Sequence, residues 1–248
     1  MKKSINLLLI VSLLTSTAVA QSPPSGEEIL MRVDANIGSD NKISQGKMII
    51  HGRRGSRTIE SKSWIQGDDQ SFTEYLSPPR EKGTKMLKIG DELWMYSPST
   101  DRTIRISGHM LRQSVMGSDL SYEDLMEDRR LQNDYEAEIV GEENLGDRPC
   151  WILLLTSKTE DIAYHSRKIW VDKEKYVSLK EERFARSGKL LKVFEVKEVR
   201  RIQNRWMPTH MVFKDALKAG EGTEFILESI EFNADIPDYI FSKASLRR

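Results

Sequence analysis

The decapeptide Met116-Gly-Ser-Asp-Leu-Ser-Tyr-Glu-Asp-Leu125 sets three carboxylates, Asp119, Glu123 and Asp124, close together among hydroxyl side chains. Residues of these types in one short run could form a metal loop, a catalytic loop or the start of a helix. Other chemistry is thinly represented. The four histidines, His51, His109, His165 and His210, stand apart, and none shows H-E-x-x-H or comparable ligand spacing. No G-x-S-x-G elbow or P-loop is present. Cys150 follows Pro149 and opens an apolar strand, which predicts burial rather than reactivity. "GRRGSR" at 52–57 reads as a basic hairpin tip whose arginines are solvated or meet an anionic head group. The mixed-sign runs "EDRR" and "KEVRRIQNR" read as solvated faces, the second also as a dock for a membrane transporter or anionic surface. A hydrolase would need paired carboxylates or a triad, and only Asp119, Glu123 and Asp124 cluster locally. The expectation is therefore a non-enzymatic protein with no cofactor and no metal.

The first twenty residues read as an export signal. Met1-Lys2-Lys3 is basic, Ile5 to Leu14 is almost unbroken apolar sequence, and Ala18-Val19-Ala20 gives a small-residue cleavage pattern. No cysteine follows it to carry a lipid anchor, and no later stretch reaches the roughly 20 apolar residues of a membrane span. The expectation is an exported protein, 21–248. Loss of Lys2 and Lys3 takes the 38 basic and 38 acidic residues to 36 and 38, a formal charge of −2. That balance carries no nucleic-acid footprint. A lone cysteine cannot form an internal disulfide, so stability must come from a core.

The elements that would position any site are mostly strands. "SGEEILMRVDANIG" predicts one amphipathic helix near 26–37: Ser25 and Glu28 have capping-box spacing, Ile29, Val33 and Ile37 recur every four residues, and Gly38 offers a left-handed stop. From Lys42 the apolar period becomes two, in segments of six to ten residues such as "RTIESKSWI", "ELWMYS", "CWILLLTS" and "TEFILESIEFN". Turn-forming runs such as Ile-Gly-Asp-Glu and Gln-Asn-Arg separate them. The fold class is mainly β with a few helices: one large antiparallel sheet that must curl, its concave face either closed by side chains and helices or left as a cavity for an apolar ligand. "CWILLLTS", apolar on both faces, predicts a central strand covered on both sides. A short helix after Ser121 and a turn at "PDYIFS" complete the set.

The stretch "LSPPREKGTKMLKIGDELWMYSPSTDRTIRIS" followed by "QSVMGSDLSYEDL" resembles the periplasmic lipoprotein-carrier superfamily typified by LolA and LolB, and more closely its "outer membrane lipoprotein-sorting protein" branch. A Trp-x-Tyr-x-Pro strand, an arginine-bearing return strand and the Met-Gly-Ser-Asp loop carry the match. The resemblance implies a LolA-like fold over 21–248, a large curved antiparallel sheet (half-barrel) covered on its concave face by the N-terminal helix and short lid helices, with a lid insertion around 108–130. It also implies a hydrophobic cavity that shields an acyl chain of a lipid or lipoprotein between envelope membranes. It implies as partners an inner-membrane RND-type transporter or an outer-membrane receptor. Arg102 and Arg105 are candidates, by motif context, for the arginine that holds the lid closed.

A carrier of this kind needs apolar area rather than a nucleophile. Strand alternation puts Leu93 and Met95 on one face, Trp94 and Tyr96 on the other, and Ile104 with Ile106 on one face. With Leu87, and with Met116, Leu120 and Leu125 from the lid, these are the candidate lipid-binding residues. Ordinary core contact is the competing reading for each, as it is for Trp64, Trp151, Trp170 and Trp206. The competing function is a non-catalytic scaffold or accessory subunit of an envelope transporter. In either case Ser121 is a good N-cap, and Leu120 and Leu125 occupy hydrophobic-staple positions. The acids are then expected to point outward, with the apolar side chains over the cavity.

Overall fold

A computed structural model describes residues 23–52, 55–127, 130–160 and 162–248. The leader at 1–20, Arg53 and Arg54 of the basic tip, and Asp128 and Arg129 of "EDRR" lie outside the described residues. Helix α1 spans Gly26–Ile37 and opens with the capping box its spacing predicts: Ser25 accepts from the Glu28 N–H, and Glu28 accepts from the Ser25 N–H at 2.9 Å. Its stop differs from the left-handed turn expected at Gly38, which has φ −66° and is extended. The chain must run almost at once into strand β1 (Asn41–Gly52), so an extended exit replaces a reversing one. Arg205 takes up the carbonyls of Ala35 and Gly38 that the helix end leaves open.

Strands β2 (Gly55–Gln66), β3 (Gln70–Ser77), β4 (Lys85–Ile89), β5 (Glu92–Ser97) and β6 (Arg102–Ile106) continue from β1 as hairpins. A second meander comprises β7 (Tyr135–Leu145), β8 (Arg148–Ser157), β9 (Ser166–Asp172), β10 (Ser178–Phe184), β11 (Leu190–Ile202), β12 (Arg205–Asp215) and β13 (Thr223–Phe232). At the β11–β12 tip both Gln203 and Asn204 have positive φ, the conformation a two-residue hairpin requires. Pairing of β1 with β13 joins the meanders, so the described residues form one curved, unclosed antiparallel sheet of thirteen strands. Its edges are β6 and β7.

On the concave face α1 packs Ile29, Leu30 and Val33 against Tyr135, Trp151, Leu153, Leu155, Ile169 and Val171 of β7–β9. The opposite face of β8 and β9 buries Cys150 and Trp170 with Val177 and Leu179. "CWILLLTS" is thus covered on both faces, but it lies next to the edge strand rather than at the centre of the sheet. Burial also pushes the Cys150 thiol up, away from the reactive thiolate. The C-terminal residues cover the convex face of the first meander. Ala234, Ile236, Phe241 and Leu246, carried partly by 3-10 turns Asp238–Phe241 and Lys243–Arg247, pack on Phe72 and Leu87.

Between the edges, residues 107–127 and 130–134 lie on the concave face. They form 3-10 turns Gly108–Arg112 and Val115–Gly117, then α2 (Tyr122–Met126) and α3 (Leu131–Asp134). Ser121 caps α2 in a full capping box with Asp124. Met116 (φ 51°) and Gly117 (φ 76°) make the left-handed turn that sends the chain over the sheet. Among the described residues no helix is long and apolar enough to cross a membrane.

Candidate functional site

A cavity of about 440 Å³ lies between this crossing segment and the sheet, within the roughly 300–1,000 Å³ of small-molecule sites. Met48, Ile59, Tyr75, Met86 and Leu93 line it from the sheet, and Val115, Leu120 and Leu125 from the segment above. Of the residues singled out from the sequence, Leu93, Leu120 and Leu125 form its wall. Met95, Ile106 and Met116 belong to the same apolar cluster one layer behind. Ile104 shares their strand face, through its pairing with Met95, but on edge strand β6 it is 38% exposed and outside the wall. Leu87, Trp94 and Tyr96 are corrected: they pack on the convex face under the C-terminal turns. Period-two alternation and the Met86↔Met95 and Leu87↔Trp94 register send the two sets to opposite faces. Met48, Ile59, Met211 and Phe225 were missed. Alternation in β1 and β2 marks the first two as one-sided, but only the β1–β13 pairing brings Phe225 to them.

At one end of the cavity, where Asp124 and Glu127 also line it, α2 is tied to the second meander by buried charge. Arg167 lies 2.5 Å from Glu127 and 2.9 Å from Glu181. Arg183 bonds Glu181 and Glu127, each at 2.8 Å, and Asp124 at 3.3 Å. Tyr164 donates to Asp124 at 2.5 Å, and its ring, with that of Tyr135, lies against the Arg167 guanidinium. The Arg167 side chain is 2% exposed and that of Asp124 is 2% exposed. Two expectations are therefore corrected. The acids of 116–125 do not all point outward, since Asp124 turns inward to cap its own helix and meet Arg183. Glu127 of "EDRR" is an ion-pair partner in the interior, because at the end of α2 it meets Arg167 of β9 and Arg183 of β10 rather than water. Among the described residues of the crossing segment neither Arg102 nor Arg105 has a partner: both are exposed, and Arg105 pairs with Glu92 beside it.

Burial pushes the Glu127 carboxyl up, against the pull of Arg183 and Arg167. Glu181 feels the same burial, but the charges and hydrogen bonds of both arginines outweigh it and hold its carboxyl below the usual range. The linkage signs are opposite. Glu181, depressed, contributes stability above its unfolded value of about 4.5 that is lost as pH falls through its folded value. Glu127, raised, favours the folded state most at low pH, and that contribution is lost as pH rises from 4.5 through its shifted value. On acidification Glu127 is expected to take its proton first. Carboxyl-carbon NMR titration, assigned with Glu127→Gln and Glu181→Gln, checks the order; simultaneous titration near 4.5 would contradict it.

Residues 67–248 match the model of a protein family described as "Uncharacterized protein". The chain belongs to that family, and its fold is LolA-like. A DUF1329 family protein from Desulfovibrio piger is 25% identical, with TM-score 0.81 over 89% of this chain and 97% of that one. A protein described as an outer membrane lipoprotein-sorting protein domain, from Vibrio parahaemolyticus, is 24% identical, with TM-score 0.79 over 90% and 98%. A LolA superfamily protein from Nitrosomonas europaea is 24% identical, with TM-score 0.75 over 90% and 100%. No curated protein matches the sequence.

In this LolA-like chain Asp119 pins the crossing segment to the far side of the sheet. Its carboxylate accepts from Thr223 Oγ1 at 2.8 Å and from the Asp215 N–H at 3.0 Å, and its carbonyl accepts from Lys192 at 2.6 Å. Thr223 is fully buried. Asp119→Ala leaves two donors unmet, one on a buried residue, and is expected to cost about 2–3 kcal/mol in urea unfolding. Asp119→Asn, which keeps one acceptor oxygen, should cost less. His51 and His210, separate in the sequence, meet across strands: each Nε2 is 2.6 Å from an oxygen of Glu224. Their hydrogen bonds hold the Glu224 carboxyl below its usual range. Among the described residues no group of His, Cys, Asp and Glu is arranged to hold a metal ion.

Proposed function

We propose that the protein is a periplasmic carrier that shelters an acyl chain of a lipid or lipoprotein and moves it between envelope membranes by burial and release. The observation that carries this reading is a cavity with hydrocarbon on much of its wall, roofed by residues 107–127, a roof that packs Val115, Leu120 and Leu125 on the apolar cluster of the sheet and is tied at its end by buried ion pairs and hydrogen bonds. Transfer of hydrocarbon from water gains about 0.8 kcal/mol per CH2, so a chain partly enclosed here is held without any covalent step. The roof is the lid: it leaves the wall when Arg167 and Arg183 release Glu127 and Asp124. The lipoprotein-sorting description of the Vibrio relative supports the same class of cargo. An inner-membrane RND-type transporter as donor and an outer-membrane receptor as acceptor complete the proposal, with the leader at 1–20 providing export.

Native mass spectrometry of the protein purified from its host envelope, with organic extraction, tests the reading. A copurifying acyl lipid is expected. A ligand-free protein that also leaves a fluorescent fatty-acid probe unchanged, and instead crosslinks stably to a membrane protein, would replace the carrier by a scaffold of a transporter complex.

A further inference from the structure

The cavity floor is not uniformly apolar. On the concave face Ser44 of β1 pairs with Ser63 of β2, and Ser63 pairs with Thr73 of β3, giving an unbroken row of hydroxyls across three strands. Ser61 and Ser71 stand one pleat to either side, and all five line the cavity. Ser63 and Thr73 bond to each other at 2.8 Å. None of the side-chain hydrogen bonds among the described residues uses the hydroxyls of Ser44, Ser61 or Ser71, and none of these groups is fully buried. On the β4 side Lys88, paired with Ser71, lines the cavity and donates to the Met126 carbonyl at 3.1 Å, and hydrocarbon makes up the rest of the flanks: Met86 and Leu93 on β4 and β5, and Met48, Ile59 and Phe225 where β1, β2 and β13 meet. A pocket built for bare hydrocarbon would carry such side chains throughout, since an unpaired hydroxyl covered by an alkyl chain loses its water and gains nothing.

We propose that the ligand carries hydrogen-bonding groups within its apolar length, as the ester carbonyls and hydroxyls of an acylglycerol backbone do. These groups lie on the Ser44–Ser63–Thr73 row while the hydrocarbon extends into the flanking lobes. A serine or threonine hydroxyl both donates and accepts, so the row meets an ester oxygen and a glycerol hydroxyl equally well. This inference rests on the carrier reading and specifies its cargo.

The test is displacement of a fluorescent fatty-acid analogue from the full chain by palmitoyl monoacylglycerol and by hexadecane, both delivered from cyclodextrin. Two hydrogen bonds to the row predict that the monoacylglycerol binds about tenfold more tightly. In a Ser44→Ala, Ser63→Ala, Thr73→Val variant that preference should collapse while hexadecane binds as well or better. Equal binding of both ligands by the unmodified chain, or an unchanged preference in the variant, overturns this inference and leaves the carrier standing. Failure of the unmodified chain to bind the fatty-acid analogue, the monoacylglycerol or hexadecane overturns the carrier reading itself. Circular dichroism reports whether the variant folds, and if it does not, the ratio for the unmodified chain and the single Ser63→Ala variant decide.

Discussion

Arg183→Met is expected to lower the unfolding free energy by about 3–5 kcal/mol, the cost of breaking a buried ion pair from one side. The side chain lost bonds Glu181, Glu127 and Asp124 at once. What remains is an excess of carboxylate in a nearly dry site, with Arg167 alone to share between Glu127 and Glu181. Urea denaturation measures the loss. Hydrogen exchange locates it, with amides of α2 losing protection before those of β8 and β9, because α2 is held from this side by charge and the strands by core. Adding Glu181→Met should recover much of the loss: Arg167 then pairs one-to-one with Glu127, and apolar groups of similar size replace an ionic contact. A single variant within 1 kcal/mol of the starting protein, an amount of roughly the size surface pairs show, would remove the network from any role in holding the lid.

The second large effect concerns the roof. In a Leu120→Asp, Leu125→Asp variant two side chains that line the cavity become carboxylates facing it. Both positions border solvent-accessible space, so the fold is expected to survive while the cavity loses its apolar roof. Lost burial of about 1.5–3 kcal/mol for each leucine, together with the cost of covering a charge with hydrocarbon, predicts a fall in acyl-probe affinity of at least about a hundredfold. Isothermal titration with a fatty-acid analogue measures it. Leu87→Asp is the contrast: its side chain is fully buried on the other face of the sheet, so it should damage folding rather than the ligand wall. A folded lid variant with unchanged affinity would place the ligand elsewhere.

Much of the frame is legible without coordinates. Ser25 with Glu28 and Ser121 with its acids announce two helix starts, because a cap is a contact between residues three apart. The period-two rhythm announces strands, and turn residues announce hairpins, for the same reason of locality. The site was less legible. Glu127, Glu181 and Arg183 sit in runs of mixed charge that look like solvated surface, and nothing local distinguishes a charge that will be paired and dried from one that will not. Asp124 looked like a first-turn acid favoured by the helix dipole and is also a buried partner of Arg183 and Tyr164.

The sequence by itself determined that Leu93 and Met95 part from Trp94 and Tyr96, since the pleat alternates whatever surrounds it. Only the tertiary structure decided which pair faces the cavity. That choice depends on the C-terminal turns, which return from the far end of the chain to cover Trp94 and Tyr96, and on the segment carrying Val115, Leu120 and Leu125, which packs over Leu93. It depends equally on the pairing of β1 with β13, which turns two separate meanders into one curved surface. Alternation is a property of neighbouring residues; burial is a property of whatever distant segment gains most by covering them.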